Sequence, residues 1–295
     1  VRKQGSDFRS GVVPIIGRPN VGKSTLINRL VGEKVAIVSP KPQTTWNRIL
    51  GVKTLPSAQI LFVDTPGIHD APSKLNRAML QAAKGALHDA DVILHMVEAP
   101  DPFFKKEEPV WGLLHGIQTP VILVINKIDL GGTESRSETS TPFPYSKVLQ
   151  VSALVGTGVD LLEDAIVTLL PSGPPYYPEE AVTDQTERFM AQEIIREKIF
   201  LLTHQEIPYS CAVVVEEFKE REEGLVVIKA AINVEKESQK GILIGRGGKQ
   251  LKEIGSQARM DLEPLLDARV YLELYVRVQK DWTKKDYALR EFGLT

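Results

Sequence analysis

The chain has 295 residues, 36 Lys and Arg against 38 Asp and Glu, a formal charge of −2 and 42% hydrophobic residues. That length carries two domains with separate cores, and so balanced a charge excludes a globally basic nucleic-acid binder, leaving any basic surface local. No apolar run reaches the roughly 18 residues of a spanning helix, Val1 to Ser10 lack the apolar core of a signal peptide, and the single Cys211 has no partner for an internal disulfide; a soluble cytoplasmic protein in a reducing compartment is expected.

From residue 11 to about 170, apolar strand-like runs alternate with amphipathic helical stretches, the order of an α/β fold with a mostly parallel sheet covered on both faces. Strands are expected at Val12–Ile16, Ile60–Val63, Val92–Val97, Val121–Ile125 and Val148–Val151, with Gly51–Leu55 as an antiparallel edge partner of the Ile60 strand. Helices are expected at Lys23–Val31, Leu75–Leu87, Glu107–His115 and Val159–Leu170, and Gly131 to Tyr145, rich in Gly, Ser, Thr and Pro, reads as a mobile surface loop. Pro171 to Pro178 holds four prolines in eight residues and marks a stiff linker. After it the order turns to α+β: a helix at Glu187–Leu202, strands at Ser210–Phe218 and Leu225–Val234, a Gly-rich turn between a strand and a helix, and a last strand at Val270–Val278. The expected domains are 8–170, a linker 171–182, and 183–295.

Gly17-Arg18-Pro19-Asn20-Val21-Gly22-Lys23-Ser24 fits the Gly-x4-Gly-Lys-Ser/Thr phosphate loop. Its glycines let successive N–H groups face phosphates at a helix N-terminus, Lys23 is placed to reach the β- and γ-phosphates, and the Ser24 hydroxyl to ligate Mg²⁺; Thr25 extends the set. A random chain of this length would contain the pattern about 1% of the time. Two further motifs sit at strand ends, where ligands of open α/β sheets bind. Asp64-Thr65-Pro66-Gly67 offers a carboxylate to Mg²⁺ through water and a glycine N–H to the γ-phosphate. In Asn126-Lys127-Ile128-Asp129, Asp129 can accept from guanine N1–H and N2, a donor pair that adenine lacks, while Asn126 ties this loop to the phosphate loop and the base and the Lys127 stem covers the ring. Ser152-Ala153 can present a backbone N–H to guanine O6. The set points to GTP.

These motifs resemble the GTPase domain of the translation-factor-related class of P-loop proteins. The resemblance implies that Thr44 or Thr45, with a preference for Thr45, completes Mg²⁺ coordination, that Lys34 to Thr44 is the segment ordered by GTP, and that Lys23, Thr45, Asp64 and Gly67 carry hydrolysis of the γ-phosphate. Ras-like members orient the attacking water with a glutamine where this chain has Ile68, which implies slow turnover without help. His69 is read as a surface residue of the switch loop, and Asn20 is similar to an asparagine that in some relatives helps hold K⁺.

In the second half, Gly245-Arg246-Gly247-Gly248 fits the Gly-x-x-Gly loop of a type II KH domain, whose backbone lies close against a nucleic acid. Lys240 to Arg290 holds 11 Lys and Arg against seven Asp and Glu, a local surplus of four. Arg246, Lys249 and Lys252 are the phosphate-contact candidates. Trp282, among Lys280, Lys284 and Lys285, is either a base-stacking platform or a core residue, and Glu216 to Glu223 read as a solvated acidic turn. With Tyr176-Tyr177-Pro178, Glu187-Arg188-Phe189, Glu193 to Lys198, Glu206-Ile207-Pro208 and Leu289-Arg290-Glu291, the chain from about Phe8 to Leu294 resembles the Era family of bacterial GTPases. That resemblance implies binding of the 3′ end of small-subunit rRNA, a GTP-switched role in 30S assembly, a monomer, and in some relatives peripheral membrane association. A GTP-binding interaction protein at the membrane or in cell-cycle signalling is the alternative. Two departures stand out: Trp46 where the family has arginine, and the polar stretch Gly131 to Tyr145 where relatives carry a helix.

Overall fold

The computed structural model describes residues 8–68, 73–99, 107–131, 143–222 and 224–294. The chain divides into two units, one of Val1–Ala36, Thr45–Ala71 and Met79–Asp184, the other of Ile37–Thr44, Pro72–Ala78 and Gln185–Thr295.

Up to the proline-rich segment the elements are β1 (Arg9–Gly17), α1 (Lys23–Val31), β2 (Ile49–Thr54), β3 (Ala58–Asp64), α2 (Lys74–His88), β4 (Ile93–Glu98), α3 (Glu108–Leu114), β5 (Val121–Asn126), β6 (Lys147–Gln150) and α4 (Val159–Leu169). The six strands form one sheet in the order β2-β3-β1-β4-β5-β6, with β2 alone antiparallel. Every residue of β3 and β5 is buried, because helices cover both faces and no position can be given to water. Val13, Ile15, Leu26, Ile27, Ile60 and Phe62 fill one side; Ile16, Ile68, Ala83, Ile93 and Leu114 fill the other. The strand order opens the phosphate loop and the ends of β3 and β5 at one edge of the sheet, since β1 lies between β3 and β4.

The proline-rich chain runs on along this first unit. The buried Gln59 side chain accepts from the Tyr176 and Tyr177 N–H groups at 2.7 and 2.9 Å and donates to the Tyr177 carbonyl at 2.9 Å. Val52 N–H donates to the Val182 carbonyl at 2.8 Å. Extended residues, several without an N–H, are held by one side-chain amide that supplies both donor and acceptor.

The second half comprises α5 (Glu187–Leu202), β7 (Ala212–Arg221), β8 (Leu225–Val234), α6 (Glu237–Ile244), α7 (Lys249–Leu266), β9 (Arg269–Val278) and α8 (Asp286–Glu291). Its sheet runs β7-β8-β9, antiparallel and then parallel. Ile195, Ile199, Ile228, Ile232, Leu243, Ile254 and Leu262 make its core, which also takes Cys211, whose thiol burial pushes up. Thr186 caps α5 by accepting from Phe189 N–H. One expectation is corrected: the Gly-rich turn follows the helix α6, not a strand, so it joins two helices. The loop expected over Gly131 to Tyr145 falls mostly outside the described residues, as does His69.

Candidate functional site

The phosphate loop joins β1 to α1. Gly22 has φ 102°, and an added Cβ there would stand 2.3 Å from Asn126 Nδ2, so conformation and space both require glycine. Lys23 is buried, its Nζ donating to the carbonyls of Gly17 at 3.1 Å and Arg18 at 2.8 Å. Burial pulls its pKa down to about 8, against the opposing pull of Asp64 and Glu107. Arg18 and Pro19 are half-buried and Asn20 is exposed in a left-handed conformation (φ 64°), while Val21 packs into the core. Ser24 and Thr25 follow in the first turn of α1.

Three oxygens converge at the helix start. Ser24 Oγ donates to Asp64 Oδ2 at 2.6 Å, Thr45 Oγ1 donates to the same oxygen at 3.0 Å, and the two hydroxyls are 3.1 Å apart. Thr44 is not in this group; its hydroxyl donates to the Lys41 carbonyl at 2.8 Å. Asp64 Oδ1 is buried without a hydrogen-bond partner among the described residues, and burial raises the Asp64 pKa against the pull of Lys23, Ser24 and Thr45. Two hydroxyls and a carboxylate with an unused oxygen are the donor set a hard divalent cation takes. Thr65 donates to the Ile15 carbonyl at 2.7 Å, and Ile68 N–H donates to the Gly17 carbonyl at 3.1 Å, tying this segment to β1. Pro66 is buried, and a Cβ on Gly67 would stand 2.8 Å from three Pro19 atoms. The Ile68 side chain is 3% exposed among Ile16, Ala83 and Leu87, where it can orient no water.

At the end of β5, Asn126 uses both ends of its amide: Nδ2 donates to the Val21 carbonyl at 2.8 Å, and Oδ1 accepts from Ala153 N–H at 2.9 Å. One side chain thereby joins the phosphate loop to the Ser152-Ala153 loop. Asp129 is exposed, with Oδ1 accepting from Ser152 Oγ at 2.5 Å. Lys127 sits at φ 64° with Nζ 2.5 Å from Glu98. The Ser152 N–H donates to the Thr157 carbonyl, so the one backbone N–H expected at guanine O6, whether that of Ser152 or that of Ala153, already has an acceptor. Arg29 Nε, outside every motif, supports this loop by donating to the Ala153 carbonyl at 3.2 Å.

In the second unit, Gly245, Gly247 and Gly248 all have positive φ, at 71°, 63° and 76°, and Arg246, Lys249 and Lys252 are exposed around them. Beside the turn, α7 and β9 frame an open groove of about 470 Å³. Leu251, Leu272 and Leu274 contribute apolar lining, and Gly248 of the turn, Lys252 and Arg259 also line it. Sequence reading missed the β9 contribution, because alternation shows two faces and cannot say which strand edge a helix leaves open.

Of the two readings of Trp282 the structure supports the core one and removes it from the RNA-contact candidates: it is fully buried, its Nε1 donates to the Ser210 carbonyl at 3.0 Å, and its ring meets Phe292 edge-on at 5.0 Å. It is a core residue, not a stacking platform. The acidic turn is corrected in part, since Glu216 accepts from Arg277 at 2.9 Å and from Tyr275, and Glu217 pairs with Lys219 and Lys229.

A phosphate loop, a hydroxyl-carboxylate cation site and a guanine-type loop on a mostly parallel sheet define a P-loop GTPase, here joined to a KH-like module. Residues 12–127 match the family described as 50S ribosome-binding GTPase, and residues 206–283 match the KH domain family. The chain is 53% identical to GTPase Era of Geotalea daltonii, over 97% of this chain and 98% of that one, and 51% identical to GTPase Era of Geobacter metallireducens, over 98% of each. Among solved structures it is similar to Era in complex with MgGDPNP and nucleotides 1506–1542 of 16S ribosomal RNA, with TM-score 0.91, 41% identity and coverage of 98% of this chain and 99% of that one. A variant of Aquifex aeolicus Era bound to GDP.AlF4⁻ gives TM-score 0.90 and 42% identity, covering 98% of this chain and 100% of that one. The chain belongs to the Era family of GTPases.

Proposed function

We propose that this GTPase binds the 3′ end of small-subunit rRNA through the Gly245–Gly248 turn and the α7/β9 groove, and acts as a GTP-switched factor in 30S subunit assembly. The observation that carries the reading is the pairing, in one chain, of the convergent Ser24–Thr45–Asp64 site with a glycine turn that opens onto an apolar groove rimmed by Lys252 and Arg259. The relative crystallised with MgGDPNP and a 16S rRNA fragment supports it.

Residues 8–170 act as the GTP-binding domain, 171–182 as the linker and 183–295 as the RNA-binding domain. Gly17 to Thr25 enclose the phosphates; Lys23, on exchanging its two carbonyl partners for phosphate oxygens, neutralises charge that develops at the β–γ bridge. Ser24, Thr45 and Asp64 are the residues that would hold Mg²⁺, which when bound neutralises the same charge. Gly67 brings its N–H to the γ-phosphate, and the absence of a cap that Cβ would impose lets it approach Pro19. Asp129 selects guanine, with Asn126 and Lys127 beside the base and Ser152 and Ala153 bracing the pocket through their bonds to Asp129 and Asn126. Because Ile68 faces the core, intrinsic hydrolysis is slow and waits for a partner. Asn20 is the candidate K⁺ contact, read out as faster turnover in potassium than in sodium. A cytoplasmic monomer is the working state; among the described residues no helix is long and apolar enough to cross a membrane, and peripheral membrane association is tested by vesicle flotation.

The test is anisotropy of a labelled rRNA 3′-end oligonucleotide with GTP analogue or GDP bound. Tighter binding in the triphosphate state, weakened by salt, is expected; equal affinity for an unrelated oligonucleotide would refute the reading.

A further inference from the structure

The first unit buries a polar chain that hydrolysis chemistry does not call for. His95 lies in β4 at the middle of the sheet and is 1% exposed. Its Nδ1 is 2.7 Å from Tyr145 Oη and its Nε2 is 3.1 Å from Glu107 Oε2. Trp111 Nε1 donates to the same Tyr145 oxygen at 3.0 Å. The other Glu107 oxygen, Oε1, is 4.0 Å from Nη1 of Arg18 in the phosphate loop.

Donor chemistry gives this chain a direction. An indole N–H can only donate, so Tyr145 Oη accepts from Trp111. Burial, the largest influence, pushes the Tyr145 pKa up to about 12, so the phenol keeps its proton. With that proton donated to His95 Nδ1, the imidazole in its Nε2–H form donates to Glu107. A buried carboxylate is costly unless it is paired, and Glu107, 5% exposed, is paired with His95 through one oxygen and Arg18 through the other.

Arg18 is held at its other end as well. Its carbonyl accepts from Lys23 Nζ at 2.8 Å, and the neighbouring Pro19 lies against Gly67. The guanidinium beside Glu107 and the carbonyl on which Lys23 rests thus belong to one residue, held at both ends. We propose that Glu107 is a positioning residue for nucleotide binding: fixed by His95 and Tyr145, it anchors the Arg18 guanidinium and so keeps the phosphate loop in the shape that receives the phosphates.

The experiment is a double-mutant cycle on the release rate of fluorescent GDP, using wild type, Glu107→Gln, Arg18→Met and the double variant, each checked by circular dichroism. Glu107→Gln is isosteric, and Arg18→Met keeps an apolar stem while removing the charge. Each single change is expected to speed release about three- to tenfold, and the double no more than the faster single. A merely structural role would lower the thermal midpoint and let the two effects multiply. His95→Phe, which breaks the chain one step further back, is expected to speed release in wild type and to add nothing in Glu107→Gln. Multiplicative singles, or release from Glu107→Gln at the wild-type rate, would overturn the proposal.

Discussion

Asn126→Ala is the change whose cost can be worked most directly from the geometry. The wild-type amide satisfies two backbone groups at 2.8 and 2.9 Å, the Val21 carbonyl and the Ala153 N–H, and is itself 3% exposed. Truncation orphans both, and each unsatisfied buried group costs about 1–3 kcal/mol. Part of the roughly 2–6 kcal/mol total is recovered if water enters the space the amide leaves, so a loss of about 2–4 kcal/mol is expected. Because the two groups belong to the phosphate loop and the Ser152-Ala153 loop, the loss falls on nucleotide binding more than on the sheet. GDP affinity, titrated with a fluorescent analogue, should drop about 30- to 1,000-fold. Inosine and guanine nucleotides should suffer alike, since the amide ties loops together. Asp129→Asn, by contrast, should change base preference. An Asn126→Ala protein that binds GDP within threefold of wild type would refute the reasoning that this side chain clamps the two loops.

Other outcomes follow from the same geometry. Lys23 has a pKa lowered to about 8 by burial, whereas bound phosphates favour its charged form, so binding takes up a proton once the free protein has lost it. GDP affinity should be flat below about pH 8 and fall towards tenfold per unit above it, and the Lys23→Arg variant should lack that slope. Trp282→Ala should lower the stability of the second unit by about 3–5 kcal/mol, seen in urea unfolding, because it empties a buried site against Phe292; an RNA defect with unchanged unfolding would contradict its assignment to the core. If Arg246, Lys249 and Lys252 each neutralise one phosphate, the logarithm of RNA affinity against that of salt should slope at about −2, and Lys252→Ala should reduce the slope by about 0.7.

The nucleotide site was legible because its parts are local. Each motif sits at a strand end, and the strands announce themselves as buried apolar runs such as Val121 to Ile125. What the sequence hid depends on partners far along the chain. Trp282 among lysines reads equally as platform or core until the Ser210 carbonyl and Phe292 ring are seen to enclose it. Helix α6 has eight residues, too few turns for periodicity to separate it from a strand end. Asn126 was legible as a tie to the phosphate loop and the base, but not its second bond, which takes the Ala153 N–H. Glu107, His95 and Tyr145 carry no motif at all; β4, the start of α3 and the approach to β6 bring them together.

The central claim is that one chain couples guanine-nucleotide turnover to recognition of the rRNA 3′ end. The direct measurement is steady-state GTP hydrolysis with and without a 3′-end oligonucleotide, for wild type and Gly247→Asp, which places a side chain and a negative charge at a backbone position of φ 63°. The oligonucleotide should accelerate wild-type turnover and leave the Gly247→Asp rate unmoved. Equal acceleration of both proteins, or none in wild type despite demonstrated RNA binding, would contradict the account.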